Sequence, residues 1–146
     1  MKFAQGLVAA SLLTLIAAPV FAQSLEAKKM YAKEEANLAT QAALTNKACG
    51  FDIKTQVDWP SFNADEVLEK SVAAWCTAGL DAMADLCAEA QGKAAVAAKV
   101  KTLTCAGAPA VSATLSPDGN LTYAFPFSSA SNQNKLLIRT YLEKNL

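Results

Sequence analysis

The clearest hydrophobic pattern in the chain runs from about Ala64 to Ala90. There Leu68, Val72, Trp75, Cys76, Gly79, Met83, Leu86, Cys87 and Ala90 recur at spacings of three and four along one face. This predicts a long central amphipathic helix. Asn63, with Glu66 three residues on, supplies the capping box that opens it, and Gln91-Gly92 is expected to end it. From Ser24 to about Lys47 the chain is rich in Ala, Glu and Lys and has neither Gly nor Pro, so a first helix is expected. Its apolar face is thin, made of Ala27, Tyr31, Leu38 and Ala42, and Cys49-Gly50 closes it. Lys93 to about Val100 reads as a short third helix. Leu137, Ile138, Tyr141 and Leu142 mark a C-terminal one.

Elsewhere the period falls to two. Phe51, Ile53, Val57 and Trp59 alternate with polar residues as in a half-buried strand, which Pro60 stops. A second strand is expected from Val100 to Cys105. Two further runs, Ala110 to Ser116 and Leu121 to Phe127, flank Pro117-Asp118-Gly119-Asn120, and an Asp-Gly pair between alternating runs predicts a hairpin. The order helix, strand, helix, helix, strand, strand, strand, helix predicts the α+β class. The expected architecture is a helical N-terminal half whose long central helix packs on a small, mostly antiparallel sheet.

The first residues concern the address of the chain. Lys2 precedes an apolar run with Leu7, Val8, Leu12, Leu13, Leu15 and Ile16, closed by Pro19 and by Val20-Phe21-Ala22. That is the layout of a secretory signal peptide cleaved after Ala22, and the apolar run is shorter than the ~20 residues a membrane span needs. Residues 1–22 are thus expected to leave, and residues 23–146 to form a single disulfide-bonded domain in the periplasm or outside the cell, with no membrane span remaining. The chain has 13 basic and 13 acidic residues, with none of the basic excess that nucleic-acid binders usually show on one face.

All four cysteines, Cys49, Cys76, Cys87 and Cys105, lie in the expected mature part, at gaps of 27, 11 and 18 residues. An even count in a small exported domain predicts two bridges, whereas structural zinc sites use shorter C-x-x-C spacings. Cys76 and Cys87 are about 16 Å apart on one helix, beyond the ~7 Å limit between bonded Cα atoms, so they cannot pair with each other. Two connectivities remain. The lengths of the first strand and the central helix bring Cys49 level with Cys87, which favours Cys49–Cys87 with Cys76–Cys105 over Cys49–Cys76 with Cys87–Cys105.

There is no histidine, which removes Ser-His-Asp and Cys-His catalysis and every His-bearing metal site. Gly-rich phosphate loops and the zinc-protease motif are absent too, so no cofactor, metal site or catalytic residue is expected. Asp52 and Asp58 lie about 20 Å apart along one strand. That is too far for the roughly 5–10 Å that paired glycosidase carboxylates require. Asp81, Asp85 and Glu89 stand at i, i+4 and i+8, read as a solvated face neutralised by Lys93, Lys99 or Lys101. Asn120-Leu121-Thr122 has the form of a glycosylation acceptor, but the turn accounts for the asparagine.

The candidate binding residues are aromatic. Trp59 and Phe62 sit at a strand-to-helix turn, where they could plug the core or line a pocket. Tyr123, Phe125 and Phe127 form a stripe that either faces the helices or, on an exposed edge strand, offers a protein-binding patch. The chain is therefore expected to be a non-catalytic binding or interaction protein, inhibitor- or immunity-like, whose partner is another envelope protein. The alternative is a small-ligand carrier with a cavity between the central helix and the sheet near Trp59 and Trp75.

Overall fold

A computed structural model of the chain describes residues 25–129 and 131–146; the expected signal segment, residues 1–22, lies outside them. Five helices, α1 (Leu25–Cys49), α2 (Ala64–Glu69), α3 (Val72–Cys87), α4 (Ala90–Lys99) and α5 (Ser131–Asn145), combine with four strands. The strands are β1 (Lys54–Asp58), β2 (Thr102–Gly107), β3 (Ser112–Leu115) and β4 (Asn120–Phe125), and a 3-10 turn, Trp59–Ser61, leads from β1 towards α2. The class is α+β. Both favoured bridges are present, with Cα separations of 5.0 Å for Cys49–Cys87 and 5.9 Å for Cys76–Cys105.

The sheet differs from the mostly antiparallel arrangement expected. Its order is β1-β2-β4-β3, with β1/β2 and β2/β4 parallel and only β3/β4 antiparallel. The hairpin forms in the expected place, pairing Leu115 with Leu121 and Ala113 with Tyr123. Its second arm, however, slots in beside β2. The helical connection from β1 to β2 is the crossover that a parallel pairing needs. Side chains on one face of the sheet, Leu103, Cys105, Ala113, Leu121, Tyr123 and Phe125, enter the core beneath the helices. The opposite face carries Gln56, Thr104, Asn120 and Thr122, joined by hydrogen bonds from Gln56 to Thr104 (2.6 Å) and from Thr104 to Asn120 (2.7 Å).

The long central helix is two helices. Lys70 is extended and Ser71 caps a new start, its hydroxyl accepting the Ala74 N–H at 3.2 Å. The break resets the helical phase, so Val67 is buried in α2 and Leu68, expected inside, is 60% exposed. Helix α3 contacts α1, α4, α5 and β2. It therefore buries Val72, Cys76, Leu80 and Met83 together with Ala73, Ala78 and Ala82, rather than a single stripe. Helix α1 is also less superficial than its thin apolar face suggests: Leu38, Ala42 and Cys49 are buried along α3.

The corner after α3 falls at Ala88–Glu89, earlier than the expected Gln91-Gly92, which lies in the first turn of α4. A Cβ at Gly92 would stand 2.3 Å from the Leu86 carbonyl oxygen, so the glycine permits the tight approach of α4 to the end of α3. Asp85 meets Lys135 of α5 at 2.8 Å and Arg139 at 4.0 Å, not the expected Lys93, Lys99 or Lys101. Helix α5 packs against α3, and that placement selects the partner.

Candidate functional site

Because β1, β2 and β4 run in the same direction, their C-terminal ends share one edge of the molecule, the edge where open parallel sheets bind ligands. The chain leaving β1 enters the Trp59–Ser61 turn, which Pro60 favours by presetting its backbone angle. Phe62 and the Asn63 cap of α2 follow; the Asn63 side chain accepts the Asp65 N–H at 2.9 Å. The turn sits directly on the end of β2. Ser61 Oγ accepts the Gly107 N–H at 2.7 Å and donates to the Asp58 carbonyl at 2.6 Å. A Cβ at Gly107 would come within 2.6 Å of the Ser61 carbonyl oxygen, so only glycine allows this contact.

A cleft of about 330 Å³ opens between this turn and the ends of β2 and β4. Phe62, Phe125 and Phe127 form its apolar wall, and Ser61, Asn63 and Glu66 supply polar groups at its rim. The rings are in mutual contact: Phe62 lies 5.6 Å from Phe125 and 5.5 Å from Phe127 between centroids, while Trp75 stacks on Phe125 at 6.0 Å. Lys70 reaches over the Phe127 ring at 5.5 Å, within cation–π range, and pairs with Glu66 at 3.5 Å. At the far end Trp59 stacks on Tyr31 at 4.1 Å and donates its indole N–H to Glu35 at 2.8 Å.

The five aromatic candidates therefore fall into one cluster with unequal exposure. Trp59 and Trp75 are half-buried and do not meet; Phe62 and Phe125 stand between them. The expected cavity between the central helix and the sheet is occupied by Leu103, Tyr123 and Phe125, all buried. Nor is the aromatic stripe an exposed edge patch. β4 is an interior strand, and Tyr123, Phe125 and Phe127 are buried against the helices because the sheet's apolar face points that way. Burial pushes the Tyr123 phenol up to about 12, against the opposing effect of the hydrogen bond from Asn134 at 2.8 Å.

Phe62 is the residue the turn motif pointed to and the strand pattern did not. Gly107, which seats the turn, carries no local signal, since its requirement comes from a segment 46 residues away. The same holds for Glu34, a buried carboxylate that accepts from the Ser71 hydroxyl at 2.7 Å and the Ala73 N–H at 2.9 Å, holding α1 to the start of α3.

No known family, curated protein or solved structure matches this chain. Among the described residues no helix is long and apolar enough to cross a membrane, and no three Cys, Asp or Glu side chains are grouped to hold a metal ion. The two buried disulfides mark an extracytoplasmic protein.

Proposed function

We propose that this chain is an exported, non-catalytic binding protein of the periplasm or the extracellular space, using the cleft at the strand ends to hold an apolar side chain of an envelope-protein partner. The observation that carries the reading is the cleft itself. It has an aromatic wall and a polar rim, and the Ser61–Gly107 contact fixes the turn that borders it, the combination that protein-binding pockets use for anchor residues. The charge balance and the lack of histidine support a role without nucleic acid and without catalysis.

A second reading, a small-ligand carrier, is favoured by volume, because about 330 Å³ suits a small organic molecule. The site for it is the cleft beside Phe62 rather than a cavity between Trp59 and Trp75. A photo-crosslinking residue at Asn63 or Ser128, on the rim, tests both, with Thr114 on the opposite sheet face as control. Protein-binding predicts one crosslinked envelope protein from the rim positions alone. Crosslinks of equal yield from Thr114, or none together with a saturable thermal shift by a small molecule, would overturn it.

A further inference from the structure

We infer that the free edge of β1 pairs with β1 of a second copy of the chain, joining two four-stranded sheets across a two-fold axis. Lys54 donates its N–H to the Lys101 carbonyl at 3.0 Å, so Lys54, Gln56 and Asp58 turn their backbone groups towards β2. Ile53, Thr55 and Val57 turn theirs outward. The outward groups of Ile53 are satisfied by Asn46 of α1, whose side chain accepts the Ile53 N–H at 2.9 Å and donates to its carbonyl at 3.4 Å. Those of Thr55 and Val57 meet no partner among the described residues. A groove of about 280 Å³ lies alongside, lined by Glu35, Leu38, Thr55, Gln56 and Val57.

The occupant is read from the sequence of the strand. Lys54-Thr55-Gln56-Val57-Asp58 is complementary to itself when run antiparallel about Gln56. Thr55 then faces Val57 of the other copy as a hydrogen-bonded pair, twice, using all four outward N–H groups and carbonyls of the two strands. Lys54 faces Asp58 of the other copy, also twice, placing opposite charges directly across the strands. Both side chains are exposed and make no ion pair within the described residues. On the flank of α1 that carries Glu35, beside this edge, Ala32, Ala39 and Ala43 are exposed, leaving room for a second helix layer. At the opposite edge the Tyr141 hydroxyl of α5 already accepts the outward Leu115 N–H at 2.7 Å.

Sedimentation of the oxidised exported protein against concentration tests the inference, together with amide exchange at Thr55 and Val57. The wild type is expected to dimerise with both amides protected. Lys54→Asp or Asp58→Lys alone sets like charges opposite each other and should raise the dimer dissociation constant about tenfold or more. The double exchange, or a mixture of the two single variants, should restore it. A wild type that stays monomeric throughout, a dimer indifferent to the charge exchange, or a dimer whose Thr55 and Val57 amides exchange freely would each overturn the inference.

Discussion

Glu34 and Ala73 are 39 residues apart in sequence, yet the Glu34 carboxylate accepts the Ala73 backbone N–H at 2.9 Å at the start of α3. A negative group there satisfies an amide that the helix cannot, and it opposes the positive end of the helix dipole. The same oxygen takes the Ser71 hydroxyl, so one side chain fixes the angle between α1 and α3.

Removing that acceptor leaves a buried amide unsatisfied. Glu34→Ala is expected to lower stability by roughly 1–3 kcal/mol, and Glu34→Gln, which retains one acceptor oxygen, by less. Urea denaturation gives the comparison. An unchanged midpoint for Glu34→Ala would show that the contact contributes nothing to stability.

The two bridges close segments with sequence separations of 38 and 29 residues. On the chain-entropy model each stabilises the fold by roughly 3.5–4 kcal/mol, so replacing either pair by alanine should lower the thermal midpoint markedly, with the two losses close in size. A peptide map of the non-reduced protein should link Cys49 to Cys87 and Cys76 to Cys105. A Cys49–Cys76 peptide would contradict the fold.

Gly107→Ala places a methyl group against the Ser61 carbonyl and the Phe62 ring. The turn must lift from β2, at a cost of about 1–3 kcal/mol. Crosslinking from Asn63 should fall with it, while Gln56→Ala on the opposite sheet face leaves it intact. Retention of full crosslinking in Gly107→Ala would separate the cleft from the turn that shapes it.

Tyr123 sets an alkaline limit. In the folded protein its phenol holds the proton up to about 12, against an ordinary value of 10.0 in the unfolded chain. The folded state therefore binds the proton more tightly. The contribution is complete below pH 10 and is lost as pH rises towards 12, by up to roughly 2–3 kcal/mol. Denaturation midpoints across that window should fall more steeply for the wild type than for Tyr123→Phe; parallel slopes would remove Tyr123 as the cause.

Much of this architecture is legible locally. The hairpin around Pro117–Asn120, the period of the C-terminal helix and the elimination of a Cys76–Cys87 bridge all follow from spacing along one segment, because helix rise and strand alternation are properties of the backbone itself. Both cysteines do lie on α3, and of the two connectivities left open the one favoured by strand and helix length is the one observed. The candidate site is half legible: the aromatic residues stand out, but their exposure does not, since a stripe on a strand reads the same at an edge and in the middle of a sheet.

What only the tertiary structure decides depends on partners distant in sequence. The break at Lys70–Ser71 interrupts a continuous apolar period because Glu34 and the Ser71 hydroxyl satisfy the amides of a new helix start. The insertion of β4 beside β2 makes the sheet mixed and turns Tyr123, Phe125 and Phe127 inward. By itself the sequence determined roughly where helices and strands fall along the chain and that Cys76 and Cys87 do not pair with each other. Which strands became neighbours, which aromatic rings stayed accessible and where a cleft opened were decided by packing, since burial and hydrogen-bond satisfaction are settled between segments rather than within them.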